Sequence, residues 1–131
     1  MGASESCAKA IMENDEQKAM ELLYKLFNSA GPCVLFNISE KYKMPLFFAA
    51  CKANMPTLCA RMLCHPRSCH LQFTDEHGYT ALMYACIHKM DDIVNTMLSH
   101  ATVCNVGSKN KHGYVAFNYM DFIRMEKIVL K

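Results

Sequence analysis

The sequence has no tryptophan and no long hydrophobic run. Its longest apolar stretches, such as Pro45 to Cys51, fall far short of the ~20 residues needed to cross a bilayer. The N-terminal segment carries Glu5, Lys9, Glu13, Asp15 and Glu16, so it lacks the apolar core of a secretory signal. Charge of one sign is missing too. Lys and Arg number 14 against 12 Asp and Glu, and a net charge of +2 is too small for a general nucleic-acid binder. Neither a phosphate-cradling P-loop nor a dinucleotide-type glycine pattern occurs. No nucleophile elbow or oxyanion-hole glycine run surrounds any cysteine or histidine, which removes the usual grounds for Cys–His catalysis. These absences lead us to expect a non-enzymatic chain without a cofactor, residing in the cytoplasm or nucleus. The eight cysteines are then reduced thiols rather than a disulfide framework.

What is present is apolar and soft. Hydrophobic residues make up 52% of the 131 residues and charged residues 20%, which excludes a disordered chain and fits one domain. Cys51, Cys59 and Cys86 stand where small apolar residues would serve, and eleven methionines point to adaptable packing. The N-terminal M-G-A-S-E-S matches a myristoylation pattern, with Gly2 as acceptor, Ser6 at the preferred position and Cys7 able to carry a second acyl chain. The plainer reading is an ordinary initiator region, since one acyl chain anchors weakly and no polybasic cluster assists it.

The organising feature is internal repetition. Gly78 and Gly113 lie 35 residues apart, each inside a His-Gly-Tyr triplet, His77 to Tyr79 and His112 to Tyr114. At the same offset Ala81 matches Ala116, Leu82 matches Phe117, and Ile93-Val94 matches Ile128-Val129. An earlier copy aligns Met44-Pro45-Leu46 with Thr80-Ala81-Leu82, and Ala49 with Ala85, at an offset of 36. Leu58-Cys59 and Met62-Leu63 align with Ile93-Val94 and Met97-Leu98 at 35, which places an extra residue between Lys52 and Thr57.

Each unit reads as a turn, a short helix, a second turn and a longer helix. In the clearest one, Asp75-Glu76-His77-Gly78 makes the turn, where glycine accepts positive φ freely. Thr80 caps a helix running to about His88, with Leu82, Ala85 and Cys86 on its inner side. Asp91 or Asp92 opens the second helix, whose buried stripe is Ile93, Val94, Met97 and Leu98. Neither helix can bury its apolar face alone, so the units must stack.

The stretch D-E-H-G-Y-T-A-L-M-Y-A from Asp75 to Ala85, with I-V-x-x-M-L after it, closely resembles the ankyrin repeat. The family pattern is D-x-x-G-x-T-P-L-H-x-A, then I-V-x-x-L-L, then a valine-asparagine pair, at which Leu71-Gln72 and Cys104-Asn105 stand. The resemblance implies an all-α solenoid of stacked helix-turn-helix pairs with hairpin loops, about 3 to 4 repeats in one domain over 1–131. We divide it into a divergent N-terminal capping repeat at 3–37, repeats at 38–73 and 74–109, and a truncated C-terminal repeat at 110–131. In the cap, Asn14 takes the interhelix turn and Ala19 with Leu22-Leu23 the inner stripe; Glu5, Glu13, Asp15, Glu16, Lys18 and Glu21 give the polar outer face a terminal repeat needs. Where the family carries a histidine in T-P-L-H, this chain has Phe47, Met83 and Asn118, and Lys89 and Arg124 replace the interhelix glycine. Each lost hydrogen bond lowers stability by about 0.5–1.5 kcal/mol. The last unit stops soon after Ile128-Val129, which leaves its end open to a longer array, a partner or a second copy.

Two constellations merit a functional reading. Cys64, His65, Cys69 and His70 are two thiols and two imidazoles, a set able to hold zinc or to respond to redox state, yet crowded within seven residues and coincident with an inter-repeat loop. The stronger reading carries over the family's concave groove, made of hairpin tips and exposed first-helix positions. That strip holds Glu40, Lys41, Lys43, Lys52, Glu76, His77, Tyr79, Ile87, His88, Lys111, His112, Tyr114, Phe122 and Ile123. Its four lysines and three histidines outweigh two glutamates, and its tyrosines offer large contact area at low entropic cost. The expected partner is therefore a protein with an acidic or phosphorylated segment, bound by an adaptor, an inhibitor or a targeting module of a larger protein.

Overall fold

The computed structural model describes residues 3–31, 35, 38–65, 69–100 and 106–120. Among these are six α-helices in three antiparallel pairs: α1 (Ala3–Met12) with α2 (Glu16–Ala30), α3 (Leu46–Lys52) with α4 (Pro56–Met62), and α5 (Ala81–Ile87) with α6 (Asp91–Leu98). A short 3₁₀ helix, Ala116–Tyr119, opens the next unit. No extended strand occurs among the described residues; isolated bridges between Ile38 and Pro45 and between Thr74 and Thr80 close the hairpins. The expected all-α solenoid is the fold observed.

Local signals account for the helix ends. Thr80 accepts the N–H of Met83 at 3.1 Å and starts α5, while Asp91 and Asp92 occupy the first turn of α6. Each first helix stops in a Schellman motif, whose reversing residue must take positive φ. Asn14, Asn54 and Lys89 fill that place at φ of 60°, 61° and 60°. Their N–H groups donate to Ile11, Cys51 and Cys86, and the following N–H groups of Asp15, Met55 and Met90 reach back to Ala10, Ala50 and Ala85. Lys89 thus keeps a conformation that glycine holds more cheaply.

These turns correct the expected register. The N-cap positions are Pro45, Thr80 and Val115, evenly spaced by 35, and the turns at Asn54 and Lys89 after α3 and α5 match at the same offset. The extra residue lies instead in the hairpin closed by Ser39 N–H on Met44 O, against Asp75 on Tyr79 and Asn110 on Tyr114. Pro45 therefore stands for Thr80 and Leu46 for Ala81, and Phe48, not Phe47, occupies the position of Met83. The physical reason is plain: an exposed hairpin tip absorbs an insertion, whereas the fixed bonds of a Schellman turn do not.

Stacking buries the repeated stripes in one continuous core. Phe47, Phe48, Ala50, Cys51, Leu58, Cys59 and Met62 face Leu82, Met83, Ala85, Cys86, Ile93, Val94 and Met97, all buried, with Leu22 and Leu98 only partly covered. First helices stack in series, α1 on α3, α3 on α5 and α5 on the 3₁₀ helix; second helices stack α2 on α4 and α4 on α6. Small residues (Ala49, Ala50, Cys51, Ala85 and Cys86) fill much of the buried side of the first-helix row.

Polar groups stitch the seams. Two acids expected on the outer face of the cap turn inward: Glu5 accepts from Ser39 Oγ at 3.1 Å and Glu40 N–H at 3.0 Å, and Glu16 accepts the Leu58 N–H at 3.1 Å. The reason is helical: α4 has Met55 at its N-cap and no side-chain cap of its own, so an orphan amide is satisfied from the neighbouring repeat. Glu13, Asp15, Lys18 and Glu21 remain exposed as expected. At the next seam His88 Nε2 lies 3.0 Å from the Lys52 carbonyl at the end of α3.

Candidate functional site

The hairpin tips are built alike. The Asp75 Oδ1 accepts the N–H groups of His77 and Tyr79 at 3.0 and 2.9 Å, and Asn110 Oδ1 accepts those of His112 and Tyr114 at 2.9 and 3.2 Å. Such Asx turns fix the loop before any partner arrives. Gly78 and Gly113 sit in the left-handed region at φ +80° and +79°, and Lys43 holds the same place in the earlier hairpin at φ 61°. Gly78 does more than turn the chain: a Cβ there would lie 3.0 Å from the Asn110 Cα. The tips are further joined by Lys111 N–H on His77 O at 2.9 Å.

This frame presents Lys41, Lys43, Glu76, His77, Lys111, His112 and Tyr114 to solvent, with Lys52 exposed at the end of α3 and His88 half-buried. Lysine heads lie over aromatic rings, Lys41 Nζ 5.4 Å from the Tyr42 ring centre and Lys52 Nζ 5.9 Å from that of Tyr84. Glu76 and His77 approach to 3.7 Å, but both are well exposed, so the pair contributes little stability. Tyr114 is 50% exposed and Ile87 37% exposed, so the strip pairs positive charge with accessible apolar area.

Behind the charges runs a continuous row of rings. Phe73 meets Phe48 at 4.9 Å, Phe48 meets Tyr84 at 5.5 Å, and Tyr84 stacks on Tyr79 at 5.3 Å. Tyr119 then contacts Tyr79 at 6.2 Å and Tyr114 at 5.9 Å, while His112 flanks both of these tyrosines. Tyr79 and Tyr114 are thus linked through Tyr119 and His112. Hydroxyls complete the row: Tyr84 donates to Asp75 Oδ2 at 3.2 Å, Asn110 Nδ2 donates to the Tyr119 hydroxyl at 2.7 Å, and Tyr119 lies 3.4 Å from the Tyr79 hydroxyl. Burial and the Asp75 charge push the Tyr84 hydroxyl pKa up, and that of Tyr79 is raised as well, its contact with Tyr119 being the largest cause and burial the next. Both stay protonated at neutral pH. Tyr84, Tyr119, Asp75 and Asn110 were not singled out from the sequence as site residues, although Tyr84 to Tyr119 and Asp75 to Asn110 carry the same 35-residue offset that flagged the other tyrosines.

The cysteine and histidine side chains of the 64–70 segment have separate partners. Cys69 is buried, its thiol donates to Met62 O at 3.1 Å and His65 O at 3.5 Å, and burial raises its pKa to about 12. Cys64 is exposed with its thiol on Ala60 O at 3.8 Å. The His65 ring meets Phe27 edge-on at 5.4 Å, and the His70 ring meets Phe73 at 5.7 Å. Among the described residues, no three or more His, Cys, Asp or Glu are grouped to hold a metal ion. Cys51 and Cys59 approach to 3.7 Å in the core, and burial raises the Cys51 pKa. Gly2, the Cys104-Asn105 pair, Phe122, Ile123, Arg124, Ile128-Val129 and the open C-terminal end all lie outside the described residues.

A family model described as ankyrin repeats in three copies matches residues 7–110. It therefore spans all three helix pairs and reaches the hairpin at Asn110. No curated protein matches the chain. Among the described residues no helix is long and apolar enough to cross a membrane.

Proposed function

The chain belongs to the ankyrin-repeat family, and on that premise we propose that it is an adaptor or inhibitor that binds an acidic segment of another protein. Ankyrin repeats are in general protein–protein interaction modules and typically non-enzymatic. The observation that carries the reading is the strip of Lys41, Lys43, Lys52 and Lys111, set on rigid hairpins and first helices beside a row of tyrosine rings. Rigid tips lower the entropy lost on association, tyrosine rings supply contact area, and the lysines steer an acidic partner into register. Such a role needs no cofactor, and we place it inside the cell, in the cytoplasm or the nucleus. The metal-responsive reading of Cys64, His65, Cys69 and His70 gains no support from the separate contacts described above.

The test is affinity purification from the native source with identification by mass spectrometry, run beside a variant with Lys41, Lys52 and Lys111 each changed to Glu. Exposed lysines act on an acidic partner over about one Debye length, so the reversal should weaken capture at least tenfold and flatten its salt dependence. A partner retained equally by both proteins contradicts the proposal.

A further inference from the structure

The third and fourth units carry the same Asx–tyrosine pair with one change, Asp75 against Asn110, and that change sets the direction of the hydroxyl protons. Asp75 only accepts: Oδ1 takes the N–H groups of His77 and Tyr79, and Oδ2 takes the Tyr84 hydroxyl at 3.2 Å. A carboxylate has no proton to return, so the Tyr84 proton is turned inward. In the next unit Asn110 Oδ1 is held by the N–H groups of His112 and Tyr114, which leaves Nδ2 to donate to the Tyr119 hydroxyl at 2.7 Å. The Tyr119 oxygen is thereby occupied as an acceptor, and its own proton runs toward Tyr79 at 3.4 Å. Tyr79 ends the chain as an acceptor whose own proton meets no acceptor among the described residues. Hydrogen bonds polarised in series strengthen their last donor.

The surroundings of that hydroxyl select an anion. Lys111 is exposed on the adjoining tip, and the His112 ring lies 6.4 Å from that of Tyr79. Of the nearby acids, Asp75 is engaged through both oxygens, while Glu76 stands exposed on the tip, 3.7 Å from His77. The strip has lysine and histidine but no arginine, so it lacks the bidentate fork most typical of phosphoryl recognition and acts through point charges. We infer that the Tyr79 hydroxyl is the polar anchor of this face, donating to a side-chain carboxylate of a glutamate- or aspartate-rich partner segment. The inference rests on the binding reading given above.

The probe is a fluorescein-labelled oligo-glutamate peptide, titrated at low salt against the intact protein. Tyr79→Phe removes only the hydroxyl and should weaken binding about tenfold or more. Asn110→Asp takes the amide donor away and turns both tyrosine protons back toward the chain, so binding should fall at least as far. Tyr24→Phe, at an exposed position of α2, should leave it unchanged, and circular dichroism confirms that each variant is folded. If Tyr79→Phe binds like wild type while the triple lysine reversal loses the peptide, the anchor is overturned and the acidic-partner reading survives. If wild type takes a phosphopeptide of equal charge but not oligo-glutamate, the carboxylate assignment is overturned. If it takes neither, the binding reading falls with it.

Discussion

Gly78 and Gly113 share one backbone conformation, at φ +80° and +79°, but differ in surroundings, and that difference makes a controlled experiment. A side chain in the left-handed region costs about 1–2 kcal/mol, offset in part by about 0.4–1 kcal/mol from a stiffer unfolded chain. Gly113→Ala meets nothing within 4 Å, so the backbone term stands alone at about 0.5–1.5 kcal/mol. Gly78→Ala adds a methyl 3.0 Å from Asn110 Cα and 3.4 Å from Asn110 C and Lys111 N. These neighbours are backbone, so the next hairpin must shift, and overpacking of this kind adds about 1–3 kcal/mol. The total is about 2–4 kcal/mol, against which urea slopes of about 1–3 kcal/mol per M predict a midpoint lowered by on the order of 1–2 M. Urea unfolding followed by circular dichroism measures both variants under one set of conditions. Equal midpoint shifts for the two would refute the claim that Gly78 is held by its contact with the next repeat.

Lys89→Gly should stabilise the protein by about 0.5–1 kcal/mol, because lysine at φ 60° closes a turn that glycine closes without a Cβ penalty; a thermal melt that rises by a few degrees checks it. Glu16→Ala should lower stability by about 1–2 kcal/mol, read from the urea midpoint, since the Leu58 amide at the start of α4 loses its acceptor across the repeat boundary. Alkylation at neutral pH with peptide mapping should label Cys64 rapidly and leave Cys7, Cys51 and Cys69 protected until the chain unfolds, because burial raises the last three thiols. Cys7 and Cys69 are pushed up from 9.0 to about 12, so the unfolded chain loses those protons first. Their contribution to stability is whole below pH 9 and declines as pH rises toward 12, which urea midpoints across that range will show.

Periodicity made the helix pairs legible because identical units must solve identical packing problems. Thr80 as a cap, Asp91 at the start of α6 and the Ile93, Val94, Met97 stripe follow from local chemistry and the 3.6-residue period, and all appear as expected. The register of α3 did not. Pro45 matches the family's proline one place after the capping threonine, yet it occupies the cap itself at φ −69°, ψ 159°. Proline fits either position by its fixed φ, so residue identity alone cannot separate them; the Schellman bonds at Asn54 and Met55 do. The inward turn of Glu5 and Glu16 was equally hidden, since composition gives a face its polarity but not the orphan amides it must answer. Of the binding strip, the exposed tips are readable from the turn motif, whereas Tyr84 and Tyr119 are not, because helical aromatics ordinarily belong to a core.

The feature that stabilises the last seam is also the one that shapes the proposed contact. Gly78 lets the Asn110 backbone approach, and in the same seam the Tyr119 hydroxyl lies 3.4 Å from that of Tyr79 while Lys111 N–H closes on His77 O at 2.9 Å. A Cβ at position 78 would therefore act twice, once on the free energy of stacking and once on the donor chain. The two effects separate by measurement, since Tyr79→Phe touches only the second. Binding losses that track stability across Gly78→Ala, Glu16→Ala and Tyr79→Phe would mean that the face works simply by being folded. Loss in Tyr79→Phe at unchanged stability, with Glu16→Ala less stable yet binding normally, would mean that the hydroxyl itself is read by the partner.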